Sequence, residues 1–362
     1  MQELPLDFQE RVIYSLRSLY NRCGYAQYKM SKFEEYDLYA RNKDFLISDG
    51  VITFMDTNGK LMALKPDVTL SIVKNTPDNG ELQKLYYTEN VYRVARGSGS
   101  FRELAQVGLE CLGAIDDYAI AEVLYLAAES LRCISGESIL DISHLDIITS
   151  LIDALGIPGG QRDELLKLIG EKNSHELRAL CRDCGLSEER IDILRELTAI
   201  SGAPESVLPR VRELTAGLIP ADAIDQLCRL SNVLTESGCG EMLRIDFSAV
   251  DDIHYYNGIV FKGFVRSLPD SVLAGGQYDK LMRKMGRRSG AIGFAVYMDA
   301  LERLNTRRKD YDVDVLLLYS EKNTVSEIAA ARRSITEMGE SVLVQPCIPS
   351  NIRYKRLCEV SK

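Results

Sequence analysis

A change of character near the middle of the chain constrains the fold most. From about Asp146 to Gly238, leucine-rich helical repeats such as DELLKLI, HELRALC and IDILRELT run between Gly and Pro with almost no strand signal. Strand-like runs lie on both sides of this stretch, so the sheet has to be assembled from two separate parts of the chain. On the N-terminal side, Phe8, Val12, Leu16, Leu19 and Tyr20 recur at helical spacing and stop at Gly24. VITFMD and KLMALK flank Asn58–Gly59, a hairpin signal, and a helix is expected from Thr69. KLYYTENVYRV and AQVGLECLG read as neighbouring strands joined by a turn at Gly97–Gly99, followed by a helix over Ala119–Cys133 and a strand at SILDISHL. On the C-terminal side come MLRIDFSAV, HYYNGIVFKGFV, a turn at Leu268–Pro269–Asp270, AIGFAVYMD and a helix near Ala300–Leu304.

Strands and helices without regular βαβ alternation predict an α+β fold with an antiparallel sheet flanked by helices. The expected organisation is one discontinuous domain over residues 1–145 and 239–308, an all-helical insertion over 146–238, and a small βαβ-like C-terminal segment over 309–362. That last segment (DVDVLLLY, a helix over Thr324–Met338, ESVLVQP) is small for an independent core.

Composition narrows the setting. Hydrophobic residues at 46% and charged residues at 27% are ordinary for a soluble globular protein. The net charge of −9 gives a field that repels a phosphate backbone, which argues against tRNA binding. No apolar run approaches the roughly 18–20 residues that span a bilayer. MQELPLDFQERV carries acidic residues before any apolar run and is not expected to be a signal peptide. The nine cysteines are irregularly spaced and read as reduced thiols of a cytoplasmic protein. Cys181 and Cys184 form one CxxC without a second pair or a nearby histidine, so no metal or cofactor is expected.

Four segments carry a resemblance. ALKPDVT (Ala63–Thr69), VYRVARGSGSFRELAQVGLE (Val91–Glu110), HYYNG (His254–Gly258) and AGGQYDKL (Ala274–Leu281) occur in this order, followed by IGFAVYMDAL. Together they resemble the catalytic domain of histidyl-tRNA synthetase, a class II aminoacyl-tRNA synthetase, over about residues 1–305. The resemblance implies a class II synthetase-like sheet and a site for histidine. Asp67 and Thr69 are placed by it to take the ammonium, and Arg93 and Gln106 lie toward the carboxylate. Glu110, on the same strand face as Gln106, accepts from a ring N–H. Tyr255, Tyr256 and Tyr278 surround the imidazole. Each has a plainer reading: Asp67 as a helix cap, Gln106 and Glu110 as solvated strand residues, Gly275–Gly276 as a turn. Joint occurrence in family order is what favours the site. His254 is assigned no role.

The departures matter as much. Where the family carries a catalytic arginine this chain has Asp251, and the motif 3 arginine position is Ala300. Ala95 stands where motif 2 has an acidic residue, and the loop is one residue shorter. One cation on a phosphate oxygen at ~4 Å, with an effective dielectric near 20, contributes on the order of 4 kcal/mol. At about 1.4 kcal/mol per tenfold in rate, losing two such contacts removes several orders of magnitude. A chain that keeps the histidine pocket and loses the ATP machinery resembles the regulatory subunits of ATP phosphoribosyltransferase. That family implies a short-form catalytic subunit as partner, L-histidine as effector, a homodimer core within a hetero-oligomer, no membrane and no cofactor. A working histidyl-tRNA synthetase and another histidine-sensing paralogue are the alternatives.

Overall fold

The computed structural model describes residues 6–46, 50–95, 99–250, 255–304 and 310–360. The chain divides into two compact units, Phe8–Leu304 and a smaller C-terminal one. The first is built on a nine-stranded sheet. Its spatial order is Ala26–Gln27, Gln83–Val94, Phe101–Gly113, Gly290–Tyr297, Leu273–Gln277, Asn257–Val265, Ser138–His144, Leu243–Asp246 and Ser201–Gly202. Neighbours are antiparallel except Ala26–Gln27 with Gln83–Val94 and Ser138–His144 with Leu243–Asp246. The second exception follows from the helical stretch: a parallel pair needs a long crossover, and residues 145–242 supply it.

Alternation sorts the long strands into two faces. Val107, Leu109 and Cys111 point into the main core, where they share one cluster with Val12, Leu16 and Tyr20 of helix Phe8–Arg22 and with Val123, Leu124 and Leu131 of helix Asp117–Ile134. The opposite face is left for Gln106, Gly108 and Glu110. A second cluster covers part of it, with Leu70, Ile72 and Val73 of helix Thr69–Asn75 packed against Tyr87, Val91 and Leu112.

Residues 146–238 fold as helices, with Leu151, Leu165, Leu177, Leu194 and Leu227 buried in the same cluster as the sheet. The stretch also gives up Ser201–Gly202 as an edge strand on Leu243–Asp246, a pairing too short to leave any alternation in sequence. His144 joins helix and sheet: Nδ1 accepts from the Asp146 amide, capping helix Leu145–Leu155, and Nε2 bonds Gln226 Oε1 at 2.9 Å. Gln226 in turn donates to Asp117 at 2.7 Å.

The predicted hairpin is present as Thr53–Met55 against Leu61–Leu64, with Gly59 in the left-handed region at φ +78°. Ala300–Leu304 belongs to a 3₁₀ turn, Asp299–Leu304, rather than an α-helix. The C-terminal unit carries strands Val313–Leu318 and Val342–Gln345 and helix Val325–Glu337, begun by a Thr324–Glu327 capping box. A third parallel strand, Tyr354–Glu359, pairs with Val313–Leu318 and was not foreseen. Among the described residues no helix is long and apolar enough to cross a membrane.

Candidate ligand-binding site

Residues directly opposite one another on paired strands share a face. On the face away from the main core, Tyr87, Gly108, Ala295 and Ala274 therefore form one row across four strands. Glu110, Gly293 and Gly276 form the next. Glycine and alanine thus make a low floor over which longer side chains can lie. A Cβ at Gly293 would overlap the Glu110 carboxylate, and one at Gly276 would come within 2.9 Å of the Ile259 carbonyl and the Tyr256 ring. Gly275 and Gly276 lie inside strand Leu273–Gln277, so packing rather than a turn explains them.

Above this floor lies a partly open cavity that is lined by both polar and aromatic side chains. Asp67, Thr69, Arg93, Gln106, Glu110, Tyr255, Tyr256 and Tyr278 all line it. The segment before helix Thr69–Asn75 is pinned to strand Gln83–Val94. The Tyr92 amide donates to the Lys65 carbonyl at 2.9 Å, Arg93 Nε donates to the Pro66 carbonyl at 3.1 Å, and the fully buried Lys65 ammonium bonds Glu89 at 2.5 Å. That anchoring brings Asp67 and Thr69 to the cavity wall. Asp67 also caps its helix, accepting from the Leu70 amide at 2.9 Å, so both of its readings hold at once.

Glu110 is the centre of the polar network. Thr69 donates to one carboxylate oxygen at 2.8 Å and Tyr278 to the other at 2.6 Å. Glu110 and Gln106 are 2% and 5% exposed, which disposes of the solvated reading for both. Tyr255 stacks edge-on against Tyr256, with ring centroids 4.7 Å apart, and lies 6.1 Å from Tyr278. The sequence reading missed Tyr87, Phe294 and Tyr297, which also line the cavity. Tyr87 could have been found only from strand register, since its place depends on standing opposite Gly108.

Burial raises the Glu110 carboxyl to about 8, against the lowering effect of the Tyr278 and Thr69 hydroxyls. Burial also raises Asp67, partly offset by the Leu70 amide and by Arg93. The sign of the consequence is definite. Between 4.5 and about 8 the folded protein keeps on Glu110 a proton that the unfolded chain has released. This contribution to stability is complete below that window and is lost as pH rises through it. Glu110→Gln is expected to raise the Tm of the ligand-free protein at pH 8 and to change it little at pH 5. Equal Tm differences at the two pH values would refute this.

An adjoining cleft shares Arg93, Gln106 and Tyr297 with the cavity. It is lined by Arg93, Arg102 and Arg303 against Glu103, Asp270, Asp299 and Glu302, a surplus of carboxylates. Arg102 faces Asp299 at 3.6 Å, and Glu103 accepts from Tyr92 at 2.9 Å. Ala300 lines this cleft. Asp251, His254 and part of the Gly97–Gly99 turn lie outside the described residues. All nine cysteines are free thiols, and no group of acidic, His or Cys side chains among the described residues has the makings of a metal site.

Residues 6–301 match the family model of histidyl-tRNA synthetase. The chain belongs to the histidyl-tRNA synthetase family. Within it, the chain is similar to an ATP phosphoribosyltransferase regulatory subunit from Alkaliphilus metalliredigens, 26% identical over 326 residues (87% of this chain, 82% of the relative). Among solved structures it resembles an ATP phosphoribosyltransferase regulatory subunit/histidyl-tRNA synthetase from Bacillus halodurans. The TM-score is 0.81 at 24% identity, over 97% of this chain and 93% of that one. It also resembles a chain of an ATP phosphoribosyl transferase (HisG:HisZ) complex from Thermotoga maritima, with TM-score 0.63 at 21% identity, over 80% of this chain and 97% of that one. These likenesses establish the class II synthetase-like fold, with its large central sheet flanked by helices.

Proposed function

We propose that this chain is a non-catalytic regulatory subunit of ATP phosphoribosyltransferase that binds L-histidine and acts on a short-form catalytic subunit. One observation carries the reading: side chains suited to an ammonium, a carboxylate and an imidazole line a single cavity around the buried Glu110. Asp67 and Thr69 serve the ammonium, Arg93 and Gln106 the carboxylate, and Glu110 a ring N–H. The Tyr278 proton is committed to Glu110, so Tyr278 orients that carboxylate while Tyr255 and Tyr256 enclose the ring. The names of the relatives support the regulatory role, and the carboxylate-rich cleft beside the cavity supports the loss of ATP chemistry. A homodimer core, assembled through helix Phe8–Arg22 and its surroundings and joined to the catalytic subunit in a hetero-oligomer, belongs to the same proposal. So does a cytoplasmic setting, with nine free thiols.

Calorimetric titration tests the ligand. Histidine should bind and leucine should not, because leucine leaves buried polar groups unpaired. Glu110→Ala is expected to weaken histidine binding by about 1–3 kcal/mol, and Gly293→Ala should do the same by displacing that carboxylate. Equal affinity for histidine and leucine would sink the assignment.

A further inference from the structure

Tyr87 has no part in the roles set out above, yet it lies on the cavity floor. It stands opposite Gly108 on the neighbouring strand, is 2% exposed and lines the cavity beside Asp67 and Glu110. A Cβ at position 108 would overlap the Tyr87 hydroxyl. The phenol therefore lies across strand Phe101–Gly113, in space that only a glycine leaves open, and this brings its oxygen to the cavity. The hydroxyls of Thr69 and Tyr278 both give their protons to Glu110. The Tyr87 hydroxyl has no hydrogen-bond partner among the described residues.

We propose that Tyr87 is a ligand-binding residue whose hydroxyl accepts a hydrogen bond from an N–H of the bound amino acid. Its surroundings select that polarity. The charged groups that act on it most strongly are the carboxyls of Glu110 and then Asp67, after burial itself, and all of them hold the phenol in its protonated form. A protonated hydroxyl with no partner among the described residues keeps its lone pairs free for an incoming N–H, and the two carboxyls beside it favour a ligand that presents N–H groups there over an anion. A ligand rich in N–H groups, such as an amino acid with an imidazole side chain, finds there an acceptor that the protein itself leaves unused. A carboxylate-bearing group would face three acceptors and is directed elsewhere, toward Arg93.

The inference rests on the histidine reading, and Tyr87→Phe separates the two. The substitution removes one oxygen and keeps the ring that packs with Leu70, Ile72 and Val91. Titration of the full-length variant with L-histidine should show affinity reduced on the order of tenfold, the value of one charge-assisted hydrogen bond. The Tm of the ligand-free variant should be unchanged or higher, because no hydrogen bond within the protein is lost. A parent protein that fails to bind histidine overturns the histidine reading itself. A parent that binds, with a Tyr87→Phe variant within twofold of it, overturns the role of Tyr87 alone. A variant that loses affinity together with ligand-free Tm marks Tyr87 as structural and likewise contradicts the proposal.

Discussion

No histidine-dependent ATP–pyrophosphate exchange is expected from the purified protein, even with the cavity filled. Amino-acid activation builds negative charge on phosphate oxygens, and catalysis of it depends on fixed cations placed before the reaction begins. The resemblance implies that Asp251 and Ala300 stand at two of the family's arginine positions. In the structure the cleft next to the cavity is lined by three arginines and four carboxylates, with Arg102 turned toward Asp299. At roughly 4 kcal/mol per lost contact and 1.4 kcal/mol per factor of ten, the deficit amounts to several orders of magnitude in rate. Restoring only Asp251→Arg and Ala300→Arg is not expected to recover exchange. Ala95 and the shorter motif 2 loop remain, and so do Glu103, Asp270 and Glu302 in the cleft. Exchange at a rate typical of synthetases would contradict the non-catalytic reading outright.

The fold and the site were legible in the sequence to different depths. The eight residues that the resemblance assigned to the site all line one cavity. Gln106 and Glu110 share a face by alternation, and Asp67 and Thr69 straddle the start of a helix. What could not be read was register. Tyr87 reaches the cavity only because Gln83–Val94 pairs with Phe101–Gly113 so that Tyr87 meets Gly108. Gly293 likewise shows its purpose only opposite Glu110, where any side chain would evict the carboxylate. Short or charged strands were lost for another reason. Ser201–Gly202 is two residues long, and YKRLCE in Tyr354–Glu359 lacks the apolar alternation that marks a half-buried strand. The helical stretch was recognised, but its shared core with the sheet was not, because apolar helix faces do not state what they pack against.

A histidine site without chemistry has consequences only when binding is coupled to a second site whose affinity or activity differs between two states. In the proposed complex that second site is on the catalytic partner. Such couplings commonly amount to about 1–3 kcal/mol, or roughly 5- to 150-fold in affinity, and they are reciprocal in binding. Histidine should therefore alter the affinity of this chain for its partner as well as the partner's activity. The most direct measurement is a reconstitution: the purified chain is mixed with a short-form ATP phosphoribosyltransferase, and phosphoribosyl-ATP formation is followed with and without L-histidine. The expected result is co-elution of the two proteins, activation of the catalytic subunit, and a response to histidine that Glu110→Ala abolishes. No co-elution and no gain in activity would contradict the regulatory-subunit proposal, and activation whose histidine response survives Glu110→Ala would contradict the sensing site.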